Sequence, residues 1–456
     1  MRRNPSATGQ APARSPIWPL LIVGLGTVVV PLDSAVNIDF PAIVARFGLP
    51  IPMIQWIVIS YVLTQTSLML TFGRLGDMLG YRRVFLFGTG ISAIAFVGCA
   101  LSPTYAVLLV ARVGQGVGAG LILSCGPALA TSLFPEAMRT QILARYMMMF
   151  GIGGALGPSV FGWLVERFGW SAVFSFRAPV AAAAFLLAWS LPRPARGERE
   201  PFDAAGGALL ALALSCMLLA LNRLRSFGPE AGVFAIFALA GFVLFYRLER
   251  RVPKPIIDFG PFRSADFAVI NISNVLINLS AFSIMLLAPF YLSRIPALTL
   301  PAAGLVLAAS PAGTIIAAPM AARLAQGHRP RMIALAGTAL SGAGLFGISL
   351  SGNVADIPVL VASMIVQGVG IGLFQVAYFD IVTAAIPARN RGVAGALGMA
   401  TRSIGTVTGA TVLMLIFQSL QSRGSDGFMA AFQVTFRIAA AVPAALILFD
   451  LRRGRW

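Results

Sequence analysis

The stretch QGVGAG at Gln115–Gly120 returns as QGVGIG at Gln367–Gly372, 252 residues further along the chain. At the same offset Pro135 matches Pro387, Arg139 matches Arg391, Gly153 matches Gly405 and Gly157 matches Gly409. The register holds without a gap, and each copy falls on two consecutive apolar blocks joined by a short polar turn. A helix–loop–helix therefore occurs twice, and the chain reads as two related halves.

Working outward, apolar blocks recur along nearly the whole of the 456 residues. They cover 17–43, 53–72, 84–101, 105–133, 141–165 and 171–191, then 204–222 and 230–247, and finally 266–292, 300–322, 332–350, 357–384, 392–418 and 430–450. Each is long enough to cross a hydrocarbon layer of about 30 Å. The fold class expected is an all-α polytopic membrane protein of fourteen transmembrane helices. The repeat pairs helices 4–5 with helices 12–13. This divides the chain into a tail at 1–16, a six-helix half at 17–191, a linker with two inserted helices at 192–265, a second six-helix half at 266–450 and a tail at 451–456.

Composition agrees. Hydrophobic residues make up 58% of the chain and charged ones 11%, against roughly 25% charged in soluble proteins. A mean hydropathy of +0.85 leaves too little polar surface to cover a water-soluble globule. A net charge of +18 would suggest nucleic acid in a soluble chain, but these arginines punctuate apolar blocks. With the N-terminus inside, 23 of the 34 basic residues fall in cytoplasmic segments and 6 in external ones. That bias places both termini in the cytoplasm of a cell membrane. Cys99, Cys125 and Cys216 lie inside apolar blocks and His328 is the only histidine, so metal, disulfide and triad chemistry are not expected. The chain carries no Walker glycine loop, HExxH or GxSxG, which argues against an enzyme and against ATP-driven pumping.

Four segments carry a resemblance to the major facilitator superfamily. GRLGDMLGYRR, Gly73 to Arg83, resembles its signature loop, with Met78 and Tyr81 where basic residues are usual. Arg112, Gln115 and Gly116 are similar to its R-x-x-Q-G. GGALGPSVFG, Gly153 to Gly162, resembles the helix 5 motif of proton antiporters, with Phe161 in place of one glycine. LDSAVNIDFP, Leu32 to Pro41, is similar to a helix 1 segment of the fourteen-helix drug:proton antiporters, where Asp39 replaces a small residue. The resemblance implies two pseudo-symmetric halves working by alternating access. It further implies a cytoplasmic gate loop of Gly73, Asp77, Gly80, Arg82, Arg83 and Arg139, and a helix 5 face of Gly153, Gly157, Pro158 and Gly162 that seals one half against the other.

The residues also have readings of their own. Asp33 lies about 22 Å into the bilayer and Arg112 about 11 Å from the opposite side, at 1.5 Å per residue, so the two share a depth. They either form a static ion pair joining helices 1 and 4 or make a proton site that changes with exposure. Asn37 shares a face with Asp33, and Gln115 with Arg112. Asp39 is a second proton candidate or a solvated helix end. Asp77 can bind a helix N-terminus or an arginine such as Arg139. Arg402 falls where the fourteen-helix group commonly has an arginine in helix 13, and the resemblance implies that it is structural or lines the cavity with Asn37 and Gln115. Arg177 and Arg437 are assigned no partner. Asp380 and Asp450, near helix ends, are expected to be solvated.

The expected function is secondary transport: proton-coupled efflux of small lipophilic compounds, or alternatively proton-coupled import or facilitation of one metabolite. A proton gradient drives it without a cofactor. The partners are the lipid bilayer, protons and a small-molecule substrate. A monomer is expected, nucleic acid is not, and an adaptor protein is left open.

Overall fold

The computed structural model describes residues 17–49, 53, 55–192, 203–223, 229–252, 255–257, 259–295, 298–352, 356–387, 390–421 and 427–453. Among them there is no strand. The first eight helices are α1 (Trp18–Val28), α2 (Phe40–Phe47), α3 (Gln55–Leu79), α4 (Tyr81–Ala100), α5 (Tyr105–Ser132), α6 (Arg139–Phe168), α7 (Ala172–Ser175) and α8 (Arg177–Ala188). Next come α9 (Ala204–Arg223) and α10 (Pro229–Glu249). The last seven are α11 (Ala265–Leu292), α12 (Leu300–Leu307), α13 (Ala309–Leu324), α14 (Pro330–Ile348), α15 (Ile357–Ala385), α16 (Arg391–Gln421) and α17 (Gly427–Arg453). Among the described residues, twelve helical stretches are long and apolar enough to cross a membrane. The 30-residue α6 and the shorter apolar stretch Ala172–Ala188 stand where the fifth and sixth spans are expected.

Three expected elements differ in detail. The first span is not one helix: α1 stops at Val28, a 3-10 turn runs Pro31–Asp39, and α2 follows. Pro31 lacks the N–H that an α-helix needs and its ring crowds the preceding turn. The expected loop at Gly73–Arg83 is mostly helical, because α3 continues to Leu79. Gly80 alone, at φ 92°, separates α3 from α4, a conformation open to glycine and costly for other residues. The sixth span is interrupted at Phe176, between α7 and α8.

The repeated glycines explain why the repeat exists. On α5, a Cβ at Gly116 would strike the Tyr61 carbonyl and Thr64 of α3, and one at Gly118 would meet Ser92 and the Gly88 carbonyl of α4. On α15, a Cβ at Gly368 would strike the Ser310 carbonyl of α13, and one at Gly370 would meet Ser341 and the Gly337 carbonyl of α14. Residues four apart share a helix face and residues two apart do not. QGVGxG thus lets one helix press backbone-close against two neighbours at once, the way membrane helices pack without a hydrophobic drive between them. The second repeated pair behaves likewise. Gly153 and Gly157 seat α6 against Pro31 and Ser34, and Gly405 and Gly409 seat α16 against the Val275 and Leu279 carbonyls of α11.

The inserted helices lie outside this core. Ser215 on α9 donates to Ser67 Oγ on α3 at 2.9 Å, and α9 also touches α16. α10 packs on α9 and leaves Ile236, Phe237, Leu239 and Leu244 exposed, which suits a helix facing lipid.

Candidate functional site

The irregular turn after Pro31 delivers Asp33 to a cluster of three elements. Arg112 of α5 grips the carboxylate with both ends of its fork, Nη1 to Oδ1 at 2.7 Å and Nη2 to Oδ2 at 2.9 Å. Gln115 Nε2 donates to Oδ1 at 2.7 Å, and Arg177 Nη1, from the first turn of α8, donates to the same oxygen at 2.9 Å. The arginines are themselves anchored. Arg112 Nε donates to the Ile57 carbonyl at 2.8 Å and its guanidinium lies over the Tyr61 ring; Arg177 Nη2 donates to the Val29 carbonyl at 2.9 Å and lies over Phe96. Both arginines are 0% exposed and Asp33 is 13% exposed.

The structure thus brings together Asp33, Arg112 and Gln115. It adds Arg177, to which the sequence assigned no partner. The cluster is one positive charge in excess. Every donor around the carboxylate is an N–H, and none can accept a proton in return. Two guanidinium charges beside Asp33 oppose its protonation, and withdrawal of Arg112 or Arg177 would ease it. Asn37 and Asp39 belong to the same turn by backbone, and their side chains lie outside the described residues.

In the other half α11 and α15 are joined by amides, about two turns further along the repeated helix. Asn271, Asn274 and Asn278 form one stripe on α11. Gln375 Nε2 donates to Asn274 Oδ1 at 3.0 Å, Asn278 Nδ2 donates to Asn274 Oδ1 at 2.9 Å, and Tyr378 donates to Asn271 Oδ1 at 2.8 Å. The spacing of those three asparagines was the available sequence signal.

A cavity of about 180 Å³ lies where the halves meet. Phe150, Gly151 and Gly154 of α6 form one wall, and Gln367, Arg402 and Thr406 stand opposite. Arg402 is thus a cavity residue, stacked 4.1 Å from the centroid of Phe150. The faces of α6 divide the work: Gly151 and Gly154 approach Pro311 of α13 across the interface, whereas Gly153 and Gly157 pack on helix 1 of their own half. The side chains of Pro158 and Gly162 lie outside the described residues.

At one end of the bundle a latch joins the halves. Asp77, in the last turn of α3, accepts from the backbone N–H of Gly392 at 2.7 Å and of Val393 at 3.1 Å. A carboxylate on a helix N-terminus satisfies donors left over by the helix and complements its dipole. Gly73 allows this, since a Cβ there would collide with Ala396 and the Gly392 carbonyl. Tyr81 donates to Asp77 Oδ1 at 2.7 Å. Arg139 does not reach Asp77. It pairs with Asp380 of α15 at 2.9 Å and with Glu136 at 2.6 Å, while Arg391 takes the other Glu136 oxygen at 2.6 Å. Arg82 holds the C-terminal carbonyl of Ala188 at 3.2 Å, an arginine capping a helix within its own half, and Arg83 is exposed.

Two acids expected in solvent are buried instead. Asp380 is 5% exposed and paired with Arg139; Asp450 is 3% exposed and paired with Arg331 at 3.1 Å. Depth along a helix does not reveal that an arginine in the first turn of another helix covers its end. Arg437 is exposed on α17.

A broken first helix, a buried ion cluster and two glycine-matched bundles meeting at a cavity define a secondary transporter. The family model of the Major Facilitator Superfamily matches residues 23–266 and 270–454, and the chain belongs to that family. It is a multi-pass membrane transporter of small molecules and not an enzyme. It is 29% identical to the riboflavin transporter RibZ of Clostridioides difficile over 93% of this chain and 94% of that protein. It is 30% identical to the tetracenomycin C resistance and export protein of Streptomyces glaucescens over 91% and 79%. The multidrug resistance protein Stp of Mycobacterium tuberculosis is 28% identical over 88% and 75%. Among solved structures, the human organic anion transporter MFSD10 superposes with a TM-score of 0.68 at 15% identity, covering 96% of this chain and 99% of that one, which speaks to the fold.

Proposed function

We propose that the chain exports small lipophilic compounds in exchange for protons, by alternating access of two six-helix halves. In this reading it crosses a cell membrane fourteen times with both termini in the cytoplasm, and works as a monomer with no cofactor. The latch then closes the cytoplasmic side, and the cavity is the substrate site. The observation that carries the reading is the Asp33 cluster: a carboxylate in a broken membrane helix, held by two arginines whose departure would favour uptake of a proton. Proton loading and arginine movement are then linked, which is what coupling requires. Similarity to drug exporters supports the direction of transport.

In proteoliposomes with an imposed pH gradient, Asp33→Asn is expected to abolish gradient-driven substrate movement while leaving protein abundance intact. Undiminished substrate-coupled proton flux would overturn the assignment and turn attention to Asp39. A second reading, import or facilitation of one specific metabolite, is favoured by the similarity to a riboflavin transporter. Uptake into right-side-out vesicles, exceeding uptake into inverted ones, would select it.

A further inference from the structure

Arg402 is the one charged residue lining the central cavity, and its guanidinium has no hydrogen-bond or ion-pair partner among the described residues. It stands about 16 Å along α16 from the latch end, at 1.5 Å per residue, which is mid-bilayer depth. An uncompensated charge there is expensive and marks function. The carboxylate that might have answered it, Asp33, is already committed to Arg112 and Arg177.

The surroundings make the vacancy of charge specific. Phe150 covers one face of the guanidinium at 4.1 Å, which leaves its in-plane N–H groups without a partner among the described residues. Gln367 accepts from Ser310 Oγ at 2.7 Å through its oxygen, which leaves its amide N–H₂ as a second donor facing the same space. Asn278 is spent on Asn274 and Gln375. Two free donors, one of them a planar cationic fork, match a carboxylate in shape and charge. Phe150 and Phe282 supply aromatic walls beside it. About 180 Å³ is below the roughly 300 to 1,000 Å³ of a full drug site, so the cavity suits the acidic end of a substrate.

We propose that the central cavity selects organic anions, compounds with a carboxylate on an aromatic or otherwise apolar body, and that Arg402 is the specificity-determining residue. This rests on the cavity being the substrate site of the proposed exporter, and it narrows that reading from lipophilic compounds in general to acidic ones.

The test uses the full-length protein in lipid nanodiscs at pH 7, with three probes sharing one ring: 1-naphthoate, 1-naphthamide and 1-naphthylmethylammonium. Wild type is expected to bind naphthoate at least tenfold tighter than the amide and to reject the ammonium. Arg402→Gln should erase the preference, and Arg402→Lys should keep part of it, which separates loss of charge from loss of fold. Equal binding of the three probes, no naphthoate binding by wild type, or a preference that survives Arg402→Gln each overturns the proposal. Binding needs no gradient. A protein that binds naphthoate selectively but does not export it against a pH gradient refutes the exporter reading and leaves this one standing.

Discussion

α5 and α15 carry nearly the same six-residue core, QGVGAG and QGVGIG, and the same kind of backbone contacts, yet only α5 has a charge beside that core; the acid of α15, Asp380, lies at its far end. Three residues before the shared glutamine, α5 has Arg112 and α15 has Met364, both 0% exposed. Around Arg112 the half closes on an ion cluster of Asp33, Arg177 and Gln115. Around Gln367 the other half is built of neutral amides and hydroxyls and opens on the cavity. Symmetric backbone thus carries asymmetric charge: the ion cluster belongs to one half, while the cavity is lined by both. Arg402 is the exception, the one cation in the lining of the cavity, and it faces Phe150 of the other half.

Making α5 resemble α15 should break the comparison hardest. Arg112→Met removes the bidentate partner of a buried carboxylate, a change that costs about 3 kcal/mol or more in buried pairs, although Arg177 remains. Thermal unfolding in detergent should show that loss, and transport should fall below detection. Near-normal transport by Arg112→Met would mean that Arg177 alone organises Asp33.

The glycines test the symmetric part. Gly118→Ala and Gly370→Ala place a Cβ against the same kind of neighbour, Ser92 with the Gly88 carbonyl and Ser341 with the Gly337 carbonyl. Overpacking of this sort costs about 1–3 kcal/mol, and the two variants should lower Tm by similar amounts. If Gly370→Ala is silent, the repeat is sequence history and not shared packing.

How much of this could be read beforehand follows the same division. The all-helical membrane fold and the packing role of the repeated glycines were legible, because a close backbone approach needs glycine and leaves a mark in sequence. Asp33, Arg112 and Gln115 were legible from depth and spacing along a helix. Arg177 was not, since its role depends on the break at Phe176, which no periodicity signals. Asp380 and Asp450 were misplaced for a related reason: each is covered by an arginine from a different helix end. The turn at Pro31 was hidden by the continuous hydropathy of the segment that contains it.

The latch is the next largest effect. Asp77→Asn keeps one acceptor for Gly392 but loses the second, to Val393, together with the charge at the start of α16. Helix-capping losses are typically about 1 kcal/mol, so the closed population should drop roughly fivefold against the open one. The fold should persist. Labelling of a cysteine placed near the start of α16 should accelerate by that factor, and an unchanged rate would show that Asp77 does not hold the halves together.

Glu136 gives the smallest effect and the one with a pH signature. It lies between α5 and α6 outside the spans, and its two oxygens hold Arg391 and Arg139, one from each half. The hydrogen bond from Arg391, helped by Arg139, keeps its carboxyl below the usual glutamate value. When the latch opens, Arg391 departs and the pKa moves back up, so opening takes up protons. The stabilisation of the closed state is therefore complete above about pH 4.3, the ordinary glutamate value, and fades as pH falls through the lowered one. Glu136 is 55% exposed, and exposed pairs contribute little after solvent screening. Glu136→Gln should thus speed cysteine labelling near α16 only about twofold at pH 7. Acidification should bring the wild-type rate up to that of the variant, until the two coincide. Curves that stay parallel down to the lowest pH at which the protein remains folded would remove Glu136 from the latch.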